Sequence, residues 1–202
     1  MKPASPNLSS VAGLILAGGR SSRFGADKAL ARFRGELMVD RAHRPLEGLP
    51  AVAISAKRGS PIAAHAGALG MALVTDDEAA PEGPLAGLLA GLSWASAQGF
   101  SFLATVPCDT PVLPHDLVPT LLAERRDANA VYAQTSQGSH PLCAIWSVEL
   151  RTLLRSSLAD GRHPAVQAFL AEIGARPAWF ESAHAFANAN TRDILSDLEQ
   201  GI

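Results

Sequence analysis

Apolar residues in this chain come in short runs, and the runs alternate with stretches of helical character. Residues 11–16 (VAGLIL), 51–56 (AVAISA), 71–75 (MALVT), 100–106 (FSFLATV) and 129–134 (NAVYAQ) each read as a buried strand. Between them, residues 38–46, 61–66 and 85–97 read as helices, and Pro114 opens another. The first of these stops near Pro45. The third follows Gly83-Pro84, and proline suits a first helical position. Strands that alternate with helices predict a parallel sheet covered on both faces. The last third is less regular. Residues 141–146 (PLCAIW) read as an antiparallel strand, 148–158 and 164–173 as helices, and 177–181 as a last strand. A final helix over 192–199 follows Thr191, which can cap it. The fold class expected is α/β, a Rossmann-like three-layer αβα sandwich. Its sheet is mostly parallel, with an antiparallel addition in the C-terminal third.

Length and composition narrow this picture. The chain has 202 residues, enough to bury a real core, and is 48% hydrophobic with only 5% aromatic residues. Residues 1–10 read as a loose tail without the apolar segment of a secretory signal, and residues 11–202 as one domain. A formal net charge of −2 gives no electrostatic case for nucleic acid or a membrane surface. No apolar run reaches membrane-spanning length. The two cysteines, Cys108 and Cys143, are far apart and outside any CxxC pattern. They read as buried residues in a reducing, cytoplasmic setting.

Candidate chemistry gathers where strands end, since ligands of open α/β sheets bind at the carboxyl ends of the strands. The glycine loop after residue 16, Asp76 and Asp109 all follow predicted strands. In the loop, Gly18-Gly19 is followed by Arg20, Arg23 and Lys28. Glycine lets a backbone approach an anion, and amides with cations can cradle phosphate oxygens. The loop is neither a Walker A nor a GxGxxG motif. It reads either as a phosphate cradle or as a strand-to-helix turn with solvated charges. Asp109 and Asp76, taken alone, also suit turns or solvated strand ends.

The stretch LAGGRSSRFGADKAL (16–30) resembles the signature loop of the nucleotidyltransferases that act on nucleoside triphosphates, with Phe24 where methionine is usual. EGPLAGLLAGL (82–92), VPCDTPVLP (106–114) and FANANTRDIL (186–195) are similar, in the same order, to blocks of molybdenum cofactor guanylyltransferases. The resemblance spans about residues 11–200.

It implies transfer of GMP from Mg²⁺-GTP to the phosphate of molybdenum-loaded molybdopterin, with release of pyrophosphate. The acceptor is already an anion, so no protein general base is required. Arg23, Lys28 and Asp109 would be catalytic, with Asp109 the ligand for Mg²⁺. Leu16, Ala17, Gly18, Gly19, Lys28, Ser55, Asp76 and Asp109 would bind nucleotide. Asp76, or its neighbour Asp77, would accept from the paired donors of guanine. Ser55 stands where the family often has Asn, which offers more hydrogen-bond sites. Gly83, Gly87, His140, Asn188 and Asn190 would face the second substrate, although Gly87 also suits close helix–sheet packing. Partners beyond GTP and molybdopterin would be other cofactor-biosynthesis proteins or client molybdoenzymes. The alternatives are a cytidylyltransferase acting on the same pterin and a non-catalytic cofactor carrier. An ordinary sugar-phosphate nucleotidyltransferase is a more distant third.

Overall fold

The computed structural model describes residues 7–17, 28–75, 83–189 and 191–200. Within them the strands are β1 (Val11–Leu16), β2 (Arg32–Phe33), β3 (Glu36–Leu37), β4 (Val52–Ser55), β5 (Ala72–Val74), β6 (Phe102–Pro107), β7 (Ala130–Thr135), β8 (Gly138–Ser147) and β9 (Arg176–Trp179). The helices are α1 (Met38–His43), α2 (Pro61–Ala68), α3 (Pro84–Ala97), α4 (Leu117–Glu124), α5 (Leu150–Ser157), α6 (Val166–Glu172) and α7 (Arg192–Gln200).

Seven of the described strands form one sheet in the order β5-β4-β1-β6-β8-β7-β9. β1 pairs in parallel with β4 and β6, and β4 with β5. All six residues of β1 are buried, as a central strand covered on both faces requires. β7 continues the strand–helix alternation and points the same way as β6. It does not lie beside β6, however, because β8 is inserted between them and pairs antiparallel with both. The antiparallel strand expected at 141–146 is thus ten residues long and internal to the sheet. β9 pairs with β7 in parallel at the edge.

Alternation along the strands builds two cores. Val11, Ile15, Ile54, Val106 and Val131 point to the face covered by α1, α2 and α4. Leu14, Leu16, Leu103 and Trp146 point to the face covered by α3, α5 and α6. The second face carries one buried polar device. The Trp146 indole donates to Thr105 Oγ1 at 2.9 Å, and that hydroxyl donates to the Leu142 carbonyl at 2.8 Å. No buried side-chain N or O among the described residues lacks a partner.

Local signals set the helix ends. Ser60 caps α2, accepting from the Ala63 amide, with Pro61 at the first helical position. Thr191 caps α7 through the Ile194 amide. Pro45 does not end the helix at 38–46 abruptly. It sits inside a 3-10 turn, Arg44–Leu46, that continues α1. The helix expected from Pro114 starts at Leu117 instead. β2 and β3 form a hairpin that the apolar pattern did not predict. Its two-residue loop, Arg34-Gly35, has φ of +50° and +81°, the primed geometry that fits the twist of a hairpin. Both cysteines are buried and in the thiol form. No helix among the described residues is long and apolar enough to cross a membrane.

Candidate active site

The carboxyl ends of β1, β4 and β6 form one rim. Past its last paired residue, β1 keeps a hydrogen bond on each side. The Ala17 amide donates to the Ser55 carbonyl, and the Cys108 amide donates to the Leu16 carbonyl, both at 3.1 Å. Leu16 and Ala17 are therefore held between the end of β4 and the turn that carries Asp109. Parallel pairing of β1 with β4 and β6 places these three segments side by side, as the strand-end argument expected.

Lys28 opens a short 3-10 turn, Lys28–Leu30. Its ammonium Nζ lies 2.9 Å from Asp109 Oδ2, and the two side chains are 12% and 25% exposed. Partial burial shields this pair from salt better than a surface pair would be. Asp109 Oδ1 accepts no hydrogen bond from a described residue.

The Asp109 turn is fastened from two other parts of the chain. The Ala189 amide donates to the Asp109 carbonyl at 2.8 Å. The buried Thr110 hydroxyl donates to Asn188 Oδ1 at 2.8 Å. On the following residue, Arg41 Nε of α1 donates to the Pro111 carbonyl at 2.7 Å. The bond from Thr110 also orients Asn188. With its amide oxygen engaged, Nδ2 is left as a donor without a partner among the described residues. Thr110 and Arg41 were not singled out in the sequence. The only available signal was that Thr110 stands in the PCDTP block next to Asp109.

The remaining candidates occupy distinct places. Ser55 is 3% exposed, with its side chain packed under α3. A Cβ at Gly87 would come 2.8 Å from Ser55 Oγ and 3.2 Å from Leu16 Cδ2. The lack of a side chain at 87 is thus what lets α3 lie on β1 and β4. Gly91, one helical turn on, does the same over Leu14 and Leu103. Gly83 caps α3 with φ of +156°, and the position its side chain would start from is 4.0 Å from His163 Nδ1. His163, unremarkable by its spacing in the sequence, therefore faces the GPLAG block.

His140 on β8 is half-buried. Its ring stacks on Phe186 with centroids 4.6 Å apart, and Nε2 lies 2.9 Å from Thr135 Oγ1. Phe186 in turn meets Phe180 edge-on at 5.1 Å. His140 thus braces the turn just before Asn188. Burial lowers its pKa below the ordinary histidine value. Cys143 is fully buried, and burial with the nearby Asp109 charge pushes its pKa up, so the thiol stays protonated. Gly18, Gly19, Arg23, Asp76, Asp77 and Asn190 lie outside the described residues.

Two charged groups from loops and an oriented amide thus meet at the carboxyl edge of a parallel sheet. This arrangement suits binding and stabilising an anionic phosphate chain. Residues 13–176 match the family model described as MobA-like NTP transferase domain. The chain is 41% identical over 189 residues to a molybdenum cofactor guanylyltransferase of Cereibacter sphaeroides, covering 93% of this chain and 94% of that one. It is 39% identical over 202 residues to the protein of the same name from Acidiphilium cryptum, covering 98% of each. Among solved structures, molybdopterin-guanine dinucleotide biosynthesis protein A of Archaeoglobus fulgidus shares the fold. That match has a TM-score of 0.72 and 16% identity, covering 94% of this chain and 97% of the other. The chain belongs to the molybdenum cofactor guanylyltransferase family, within the MobA-like NTP transferases.

Proposed function

We propose that this protein transfers GMP from GTP to the phosphate of molybdopterin, giving the guanine dinucleotide form of the cofactor and pyrophosphate. The observation that carries the reading is the Lys28–Asp109 pair at the rim where β1 and β6 end. The name of the relatives, molybdenum cofactor guanylyltransferase, supports a guanylyl donor and a molybdenum cofactor acceptor.

An oxygen of the acceptor phosphate attacks the α-phosphorus of GTP. A new P–O bond forms as the bond from the α-phosphorus to the bridging oxygen of the leaving pyrophosphate breaks. No proton has to leave the nucleophile, so the protein's work is alignment and charge stabilisation. Lys28 supplies a fixed cation for charge on the transferred group and on the departing pyrophosphate. Arg23, five positions before Lys28 in the sequence, would add a second cation. Asn188 Nδ2, aimed by Thr110, donates to a phosphate oxygen.

The residues fit a bound Mg²⁺. Asp109 offers a hard carboxylate oxygen, and Mg²⁺ is commonly held by one or two carboxylates with substrate phosphates completing the shell. Such an ion would neutralise phosphate charge. Asp76, which follows β5, would read guanine by accepting from its N1–H and exocyclic amine.

The test is pyrophosphate release from GTP, CTP or ATP, each supplied with Mg²⁺ and molybdenum-loaded molybdopterin. Release with GTP alone is expected. Release with CTP would make the protein a cytidylyltransferase. Release with none, using an acceptor shown competent with a known enzyme, would leave a carrier role.

A further inference from the structure

A second concave site lies beside the rim. It is a cavity of about 340 Å³ bounded by Tyr132 and Gln134 of β7, Ser139 of β8, and Gln167 and Leu170 of α6. This is within the range of small-molecule sites. Ala171 and Ala175 complete the lining, so four of its seven residues are polar, on a sheet face whose core is largely apolar.

The amides have a fixed orientation. Gln167 Nε2 donates to Ser139 Oγ at 2.5 Å, and Gln134 Nε2 donates to the Thr135 carbonyl at 3.1 Å. Each amide nitrogen is thereby tied down, and neither amide oxygen accepts a hydrogen bond from a described residue. Two carbonyl acceptors are left for a ligand with adjacent N–H donors.

A flat surface adjoins them. Trp179 of β9 is directly paired with Gln134, and its neighbour Ala178 is buried in the core of the opposite face. The Trp179 indole therefore stands on the same face as Gln134, and it is 63% exposed. An exposed tryptophan beside oriented amides suits stacking of a heteroaromatic ring.

Position supplies the third argument. β7 runs parallel to β6, so Gln134 and Thr135 emerge at the same edge of the sheet as Asp109. β7 is two places from β6, roughly 10 Å across the sheet at the usual strand spacing. β5, which precedes the proposed guanine reader, lies on the other side of β1, five places from β7.

We infer that this cavity, with Gln134 and Gln167 as its hydrogen-bonding groups and Trp179 as its stacking surface, holds the 2-amino-4-oxo-pyrimidine ring of the acceptor while the acceptor's phosphate lies at Lys28 and Asp109. The inference rests on the proposed guanylyl transfer. The exocyclic amine and the adjacent ring N–H of a pterin are the donor pair that the two amide oxygens accept. Guanine presents the same pair, so the two substrates must be told apart by experiment.

Gln134→Met and Gln167→Met keep side-chain length and remove the amide acceptors. Each is expected to raise the KM for molybdopterin about tenfold, the equivalent of one hydrogen bond, with the KM for GTP unchanged. An unchanged KM for molybdopterin would overturn the inference. A rise in the KM for GTP instead would assign the cavity to guanine and also overturn it. Titration with a simple 2-amino-4-oxopteridine, followed by tryptophan fluorescence, separates this result from the catalytic reading. Quenching that is lost in Trp179→Phe and weakened in Gln134→Met is expected even if no nucleotide is transferred. Absence of quenching in the wild-type protein would overturn the inference whatever its activity.

Discussion

Lys28 and Asp109 stand 81 positions apart in the chain, yet the ammonium of one lies 2.9 Å from the carboxylate of the other. β1 and β6 are neighbours, and the 3-10 turn that opens at Lys28 lies against the turn leaving β6. The pair places a cation and a carboxylate at one point, an arrangement that suits stabilising charge on a phosphate chain. Asp109→Asn keeps the shape and removes the charge. Turnover should fall at least about a hundredfold, with folding preserved by far-UV circular dichroism. Lys28→Met should also fall steeply in kcat. Near wild-type turnover in Asp109→Asn would remove the carboxylate from the chemistry.

The Thr110–Asn188 bond fastens the C-terminal segment to the Asp109 turn. Thr110→Val keeps the volume and leaves Asn188 Oδ1 without its donor. A loss of about 1 kcal/mol in denaturant unfolding is expected, with a lower kcat. Thr110→Ser retains a hydroxyl and should restore both. A Thr110→Val protein with unchanged kcat would show that Asn188 does not need this anchor.

Packing of α3 depends on the absence of a side chain at position 87. Gly87→Ala would press a methyl group against Ser55 Oγ and Leu16, at a cost of about 1–3 kcal/mol. Adding Ser55→Ala relieves the nearer contact, so the double variant should recover part of the loss. Strict additivity of the two changes, read from thermal melts, would contradict this packing.

His140 gives stability a pH dependence. Burial holds its folded pKa below the ordinary value of 6.5, so the folded state favours the neutral ring. Its contribution is complete above the ordinary value and is lost as pH falls from there through the folded value. Between about pH 8 and about pH 5, wild-type Tm should drop more than that of His140→Asn. Parallel curves would show that the ring titrates no differently on folding.

The reach of the sequence followed the range of the interactions. β1, β4, β5, β6 and β7 were legible because each is an apolar run bounded by turn residues, and α3 because Pro84 opens a long periodic stretch. The position of β8 was not, since pairing between β6 and β8 is set by contacts about forty residues apart. The β2–β3 hairpin escaped because two-residue strands are too short for an apolar period. At the site, residue identities in the loop and in PCDTP marked Lys28 and Asp109. The fastening of their turn by Thr110, Ala189 and Arg41 arises only on folding. His140 and Gly87 were marked by the same blocks, and the structure gives each a packing partner, Phe186 and Ser55.

The most direct measurement of the central claim is the product itself. The protein is incubated with Mg²⁺, GTP labelled at the α-phosphate and molybdenum-loaded molybdopterin, and the pterin fraction is analysed by mass spectrometry and for label. The account predicts a pterin guanine dinucleotide carrying the α-phosphate label, formed with one pyrophosphate per product and absent with Asp109→Asn. Label that stays in GTP or GMP, with the pterin unmodified, would contradict it.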